Sequence, residues 1–598
     1  MLKQFRFLFV VGIVLSVIFL SVGGCQGLFS KKDKESLSDA FEMPDFGPEG
    51  QPKLVKNCAF IGHYDMIPVL GYGLVVGLPG TGGEDIHSPV YQMVYEDMNR
   101  RRVQNIRSIL ARPDTAVVEI RGYMRPGIQP GDRFDVQVAL PENSNTKSLR
   151  GGILMEQTRL TERMFDNGVW ATGNTRALAA GPIMVDDVMA TDTQNPDGLK
   201  KGIILSGAVT TEPRALSVIM KEGSESMIMT DRIAKAINHR FPIPTGFQKG
   251  VASAQNDKLI ILDIHHTYAN DVPRYIKIIE SIACHETSSQ QAKRIERLRE
   301  ELLNPATSQD AAFQLEAIGK AGISALQSAL RSPGMDVRFH AATSLAYLGD
   351  GTAAKVLAES VRAEPAFRVY ALNALSVMKN DLEAEYYLQE LLHVPSEETR
   401  YGAFRALKYR NPMDQTIRGE MLGEQFSYHG INSLAPPMVH ITAHKYPEIV
   451  LFGTDIFLRQ PFTLEAGPQI FINGQIPNEV VVSKLVLRGI GERRTVSNRL
   501  DEIIRAVVDI GGTYPDVVQL LRQADSTRVL SCKLEVDCLP EPNRAYQRSS
   551  SESDFMLEGK EEKPRSFWDR WNPRNIFTPN PGEKTSDFTG TVNSSSRD

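Results

Sequence analysis

Cysteine is scarce, with five in 598 residues, and tryptophan is rarer still, at three. So few thiols exclude a disulfide-dense secreted scaffold. Charge of one sign is also lacking: 67 Lys and Arg face 72 Asp and Glu, for a formal net charge of −5. Without a basic excess, composition gives no support to a nucleic-acid partner. The uncharged run Phe7–Val22 falls short of the roughly 20 residues that a membrane-spanning helix needs. No GxSxG elbow, HExxH or CxxC is present, so the familiar hydrolase and metal signatures are missing. What is there is 42% hydrophobic and 23% charged residues, enough to bury cores in several domains. A wholly disordered or collagen-like chain is excluded on the same ground.

The N-terminus gives an address. Lys3 and Arg6 precede the short apolar run, and small residues follow it, which predicts a secretory signal over residues 1–24. Val22-Gly23-Gly24-Cys25 resembles a bacterial lipobox, whose cysteine is lipidated and becomes the new N-terminus. Residues 25–52 are polar and Pro/Gly-containing, and predict a flexible tether between a lipid-bearing Cys25 and the folded part.

Glycines cluster in Gly71-Tyr72-Gly73-Leu74-Val75-Val76-Gly77-Leu78-Pro79-Gly80-Thr81-Gly82-Gly83. Gly77 to Gly82 has P-loop spacing, but Gly83 and Glu84 stand where Lys and Ser/Thr would hold phosphate. Gly71 and Gly73 begin a dinucleotide fingerprint, but Gly77 follows one residue too late. The segment therefore reads as an apolar strand, Leu74–Leu78, ending in a glycine turn. Phe134, Val136, Val138 and Leu140 alternate with Arg133, Asp135, Gln137 and Ala139, the period of a half-buried strand. Ser148-Leu149-Arg150-Gly151-Gly152 is a second glycine turn. Met229, Ile233, Ala236 and Ile237 predict a helix stopped by Pro242, Lys258–His265 a strand, and Pro273 onward a second helix.

Three of these stretches, in this order, resemble the flagellar basal-body P-ring protein family. They are Gly71–Gly82, Gly131–Val138 with Lys147–Gly152, and the helix Asp231–Asn238. The resemblance implies a non-enzymatic structural subunit of a homo-oligomeric ring. Such a ring surrounds the flagellar rod at the peptidoglycan layer, beneath the outer-membrane L-ring proteins, and acts as a bushing. Its address would be the periplasm. Gly71, Tyr72, Gly73, Gly77, Gly80, Gly82, Ser148, Leu149, Arg150, Gly151 and Gly152 are then the family-motif residues and candidate subunit contacts. Ordinary turns within one subunit are the competing reading of the same glycines. Asn498–Asp537, read as helix, turn, helix and strand, resembles the end of the same family.

Between these parts the chain changes character. Arg338–Leu345, Arg368–Leu375 and Arg400–Leu407 align at offsets of 30 and 32 residues. The pattern resembles HEAT-like helical repeats, which hide their apolar faces only by stacking. Family members usually lack such an insertion, and usually carry a plain signal peptide. After Pro412 short strands return at Ile449–Phe452, Ile470–Ile472 and Val480–Val482, with Asn473-Gly474 as a hairpin signal. Leu530, Cys532, Leu534 and Val536 predict a last strand, and residues 540–598, which hold Phe567, Trp568 and Trp571, a disordered tail.

The fold expected is α+β: a discontinuous β-rich core with small α+β subdomains, interrupted by an all-α HEAT-like solenoid. The expected parts are 53–220 and 413–539 for the core, 221–288 for an α+β unit and 289–412 for the solenoid. Cys58, Cys284, Cys532 and Cys538 are disulfide candidates with three possible connectivities. A Cys532–Cys538 bond would require a turn near Asp537, so a bond from Cys58 to one of the others is preferred. Asp263 with His265 supplies too few ligands for zinc, and no cofactor, metal or catalytic residue is expected. Two other readings stay open: an envelope lipoprotein adaptor that recruits partners through the solenoid, and an enzyme acting on peptidoglycan.

Overall fold

The computed structural model describes residues 52–83, 89–142, 144–166, 169–189, 196–243, 250–486 and 489–546. The signal segment, Cys25, most of the tether and the aromatic tail residues lie outside them. Among the described residues no helix is long and apolar enough to cross a membrane.

The described chain opens with α1 (Val55–Cys58) and β1 (Ala59–Gly62), then enters a barrel. Its elements are β2 (Ile67–Val76), α2 (Pro89–Arg100), α3 (Ile106–Leu110), β3 (Thr115–Met124), β4 (Arg133–Ala139), β5 (Ile153–Asp166), β6 (Val169–Pro182), β7 (Met184–Val185), α4 (Asp186–Met189) and β8 (Lys201–Thr210). The strand order is β4-β3-β2-β5-β6-β8, and β4 also pairs with β8, which closes the wall. All these pairings are antiparallel. Closure removes the sheet edges that would otherwise expose unpaired amides. Val69, Val75, Val118, Ile120, Val136 and Leu160 fill its core, and α2 and α3 cap the outside against Leu74 and Val117.

Next come β9 (Leu216–Met220), α5 (Met227–Arg240), β10 (Ala252–Ala254), β11 (Leu259–Leu262) and α6 (Val272–Ser281). They form a small sheet of order β1-β9-β11-β10. Strands β1 and β9 sit at the two ends of the 53–220 stretch, yet both pair into the sheet of the 221–288 unit. The barrel is thus a long excursion from this small sheet. Ser226 caps α5, and Asp271 caps α6 with Pro273 in its first turn.

Residues 288–410 are helical: α7 (Ser288–Leu303), α8 (Ser308–Ile318), α9 (Ile323–Ala329), α10 (Met335–Leu348), α11 (Ala354–Ala363), α12 (Pro365–Val377), α13 (Leu382–Leu391) and α14 (Glu397–Arg410). The three aligned segments lie in α10, α12 and α14, and α12 packs on both of the others. Ala341, Ala371 and Ala403 are fully buried, as are Leu345, Leu375 and Leu407. Small residues at matching positions let the helix axes approach closely. Arg338 and Arg368 each donate to carbonyls of the preceding segment, at Ser332 and Val361.

The rest contains β12 (Gly419–Leu422), β13 (Phe426–Ile431), β14 (Met438–Ile441), β15 (Glu448–Phe452), β16 (Phe462–Ala466), β17 (Ile470–Ile476), β18 (Glu479–Val486), β19 (Gly489–Val496), α15 (Leu500–Asp509), α16 (Tyr514–Ser526) and β20 (Lys533–Val536). One sheet is mixed, β12-β13-β15-β14-β20, and the other is the meander β16-β17-β18-β19. They share one core with α15 and α16. The fold is α+β, as expected. Asn473-Gly474 is not the hairpin turn. It lies inside β17, where the register with β18 slips, and the chain reverses at Pro477-Asn478, with Asn478 at φ 60°. Leu530 forms only an isolated bridge to Leu458, so the last strand starts at Lys533. Past Pro540 the chain lies on the helical block: Asn543 meets Tyr370, Arg544 pairs with Glu398, and the Tyr546 ring is 4.7 Å from that of Phe367.

Two buried ion-pair networks fasten the helical block at its ends. At one end, Glu316 of α8 pairs with Arg274 of α6 and accepts the Tyr268 hydroxyl at 2.7 Å. At the other, Glu448 of β15 accepts from Tyr401 at 3.1 Å and Arg405 at 3.4 Å, and also pairs with Lys408. Burial alone would raise the Glu448 carboxyl, but Arg405 and Lys408 outweigh it and hold it at about 2. Glu448→Gln keeps the shape and strands two cations. It is expected to cost about 3 kcal/mol at neutral pH, read by urea unfolding of the full chain. A carboxyl depressed from 4.5 to about 2 gives stability that is full above the unfolded value and lost as pH falls through that window. The urea midpoints of wild type and variant should therefore converge on acidification.

Candidate functional site: the glycine-motif joint

The first two glycine motifs come together where the barrel meets the C-terminal lobe. Gly71 and Gly73 are not in a turn, because both lie inside β2. Opposite them the β2–β5 register slips between Leu70 and Val75. A Cβ on Gly71 would overlap the Arg159 carbonyl of β5, and one on Gly73 would sit 2.8 Å from Leu154 Cδ1. The missing side chains let β5 cross β2 at this slip. Tyr72, on the other face, packs into the cluster under α2 and α3.

The turn proper begins at Gly77, with φ 80°, and Gly80 has φ 84°. Gly82 lies so close to the Thr115 carbonyl that a Cβ would overlap it. The Thr81 hydroxyl donates to the Ser148 carbonyl at 2.8 Å, and the Lys147 amide returns a bond to Thr81 O at 2.9 Å. These two bonds join the motifs across the barrel mouth. Leu149 is fully buried and donates from its amide to Leu199 O at 2.8 Å. The Ser148 hydroxyl accepts from the Arg150 amide at 3.1 Å.

Arg150 then leaves the barrel. Its Nε donates to Gln519 Oε1 of α16 at 3.1 Å, and its guanidinium lies 3.8 Å from Glu465 of β16. Gly151, at φ 78°, faces Pro468, whose Cγ would sit 2.8 Å from a Cβ. Gly152 is crowded in the same way by Val75. Gly71, Gly73, Gly82, Gly151 and Gly152 are thus each crowded by another part of this chain. Gly80 is the exception, with no atom within 4 Å of a Cβ position.

A second latch was not visible in the sequence. Asp135 fits the polar phase of an alternating strand, yet it is buried. Its carboxylate accepts the Ser206 amide at 2.7 Å and the Lys445 amide at 2.6 Å, and the Ser206 hydroxyl donates to Lys445 O at 2.5 Å. Burial pushes the Asp135 carboxyl up, opposed by the two amide bonds. The loop after β14 covers this part of the barrel, and nothing local to β4 announces it.

Asp263 and His265 do not share a strand face, because β11 ends at Leu262 and His265 caps a short 3₁₀ turn. Burial, with His266 and Arg240 nearby, lowers His265 to about 4. Among the described residues no group of three His, Cys, Asp or Glu could hold a metal ion. Cys58 and Cys284 are buried neighbours whose thiols share a hydrogen bond. That bond, against the opposing effect of burial, lowers Cys58 to about 6. The joint holds the barrel against the C-terminal lobe through backbone and side-chain contacts.

A family described as flagellar P-ring protein matches residues 55–295. Curated proteins named flagellar P-ring protein are also similar to this chain. The one from Thermotoga maritima is 28% identical over 239 residues, 38% of this chain and 66% of its own length. That of Caulobacter vibrioides is 30% identical over 208 residues, 32% of this chain and 50% of its own. That of Methylobacillus flagellatus is 32% identical over 184 residues, 29% of this chain and 47% of its own. The matched stretches therefore span from about half to just under two thirds of these relatives.

The joint makes a graded prediction. Gly71→Ala, which drives a methyl into backbone, is expected to cost about 3 kcal/mol of barrel stability. Gly80→Ala has open space and only an unfavourable φ, and is expected to cost about 1 kcal/mol. Denaturant unfolding of the two variants, followed by barrel hydrogen exchange, checks the order.

Proposed function

We propose that the chain, which matches the flagellar P-ring protein family over residues 55–295, is a structural subunit of the basal-body P ring. The observation that carries the reading is the family match across the barrel and small sheet, the region whose motifs build the joint described above. In this reading copies assemble around the flagellar rod at the peptidoglycan layer, below the L-ring proteins, as a bushing for rotation. The compartment is the periplasm. Gly80 and the surface around it are the part of the motif left for a subunit contact.

The parts outside the match extend the same reading. The 289–412 stretch is a HEAT-like solenoid that widens the subunit. Its buried anchorage at Glu316 and Glu448 favours a fixed spacer over a swinging adaptor arm. Residues 413–539 return to the ring core, and Cys25 carries a lipid that tethers the subunit to a membrane. Cys58 and Cys284, already within thiol hydrogen-bond reach, are the pair that an oxidising periplasm would join.

Basal bodies purified from the source cell should contain this chain, and deletion of its gene should remove a ring and motility. Basal bodies that lack the chain would overturn the reading. Cys25→Ala should abolish lipid labelling and release the chain from membranes. Peptide mapping without reductant should recover Cys58 linked to Cys284, and Cys58 recovered as a free thiol or linked to Cys532 or Cys538 would refute that pairing.

A further inference from the structure

The C-terminal lobe holds a cleft that the joint does not use. It lies between the mixed sheet and the start of α15, with a volume of about 480 Å³. That is more than a bare inorganic ion fills, and it falls within the roughly 300–1,000 Å³ of small-ligand sites. Its floor is β13. Tyr428 and Gly430 are two residues apart and share one face of that strand, and Glu420 of β12 pairs opposite Tyr428. A Cβ on Gly430 would meet no atom within 4 Å, so the floor is open where a side chain would fill it. The other face of β13, with Ile431, packs on the helical block.

Three guanidinium groups line the cleft, and two of them are matched. Arg505 of α15 lies 5.2 Å from the centre of the Tyr428 ring and pairs with Glu420 at 2.6 Å. Arg499, just before α15, pairs with Asp501 at 3.2 Å and donates to Thr454 O at 3.2 Å. Arg418 is exposed, and among the described residues it makes no ion pair or hydrogen bond. It stands one residue before Gly419, the partner of His429, and so level with the open space at Gly430. The second unmatched group is the Tyr428 hydroxyl. Tyr428 is 5% exposed, yet its hydroxyl has no hydrogen-bond partner among the described residues. Burial raises its pKa, and the charges that bear on it are Asp501, Arg505, Glu420 and Arg499, all in the cleft lining. The hydroxyl therefore faces the cleft and keeps its proton as a donor. A nearly buried phenol without an acceptor points to a ligand atom that supplies one.

We propose that the cleft binds the free carboxylate end of a short peptide, with Arg418 pairing the carboxylate and the Tyr428 hydroxyl donating to an oxygen of the same ligand. A dianionic phosphate would meet Glu420 and Asp501 as well as the one unmatched cation, so a singly charged carboxylate is the better match. Asn432 and Thr454, also in the lining, can hydrogen-bond the amides of the chain behind it. The source is a peptidoglycan stem peptide. This rests on the ring reading above, which sets the chain at that layer.

The test is titration calorimetry on the purified full chain. One probe is the stem tripeptide L-Ala-γ-D-Glu-diaminopimelate with its carboxylates free, and the other is the same tripeptide with them amidated. The free form should bind and the amidated form should not. Arg418→Ala should weaken binding at least about tenfold and Tyr428→Phe about fivefold, the scale of a charged and a neutral hydrogen bond. Arg418 is exposed and Phe keeps the ring under Arg505, so both variants should unfold in urea as the unaltered chain does. No binding of the free tripeptide, equal binding of the amidated one, or unchanged affinity in Arg418→Ala would overturn the proposal. Tri-L-alanine or inorganic phosphate bound as tightly as the free tripeptide would overturn the stem peptide as the ligand. The ring reading is checked separately, in purified basal bodies. If they contain the chain while the titration fails, the site is wrong and the ring reading stands. If they lack the chain, the ring reading fails, and with it the stem peptide as the source.

Discussion

The short turn between β14 and β15 is the constraint on which the rest of the structure depends. Within seven residues it ties together four parts of the chain. The Lys445 backbone is held by Asp135 and Ser206 of the barrel. Glu448 is held by Tyr401, Arg405 and Lys408 of the helical block. Thr442 donates its amide to the Tyr514 hydroxyl of α16, at 3.0 Å. His444 lies 2.5 Å from Asp537, just past the last strand. Buried charge is costly unless all its partners stay in place. Each part therefore stabilises the turn only while the other parts remain docked, and the four behave as one body.

That coupling bears on the inserted helices. A stack of helices held only by contacts between neighbours can bend along its length. Here α8 and α14 are pinned through carboxylates with no solvent exposure, Glu316 and Glu448. The segment after β20 adds a strap from α14 to α12 through Arg544 and Asn543. A stack fixed at both ends and strapped along one side transmits displacement between the small sheet and the mixed sheet. It does not swing free as an arm would.

Much of this was legible in the sequence, and the failures share a cause. The capped helices α5, α6 and α16, the amphipathic helix α15 and the apolar strands β15, β17 and β18 follow from local periodicity and capping chemistry, because such signals lie within a few residues. The glycine motifs were visible as a pattern, but their use was not. Whether Gly71 sits in a turn or inside a strand depends on a register slip against β5, more than 80 residues away. Asp135 looked like a solvent-facing residue because its cover comes from residue 445. The Asn473-Gly474 signal lost to a bulge set by pairing with β18. In each case tertiary context overrode a local preference.

The same distinction separates what the family match explains from what it leaves to this chain. The matched region, 55–295, contains the barrel and the small sheet. It ends inside α7. Yet the matched barrel is latched to residues far beyond the match, at Glu465, Pro468 and Gln519 through its second motif and at Lys445 through Asp135. A barrel shaped only to stand alone would have no need of an outer-wall carboxylate that takes an amide from residue 445. Asp135 is satisfied only by amides, one of them supplied by the C-terminal lobe. The barrel surface is thus complementary to this lobe. The helical block leaves that complementarity intact, being fastened to α6 of the small-sheet unit through Glu316 and to β15 through Glu448.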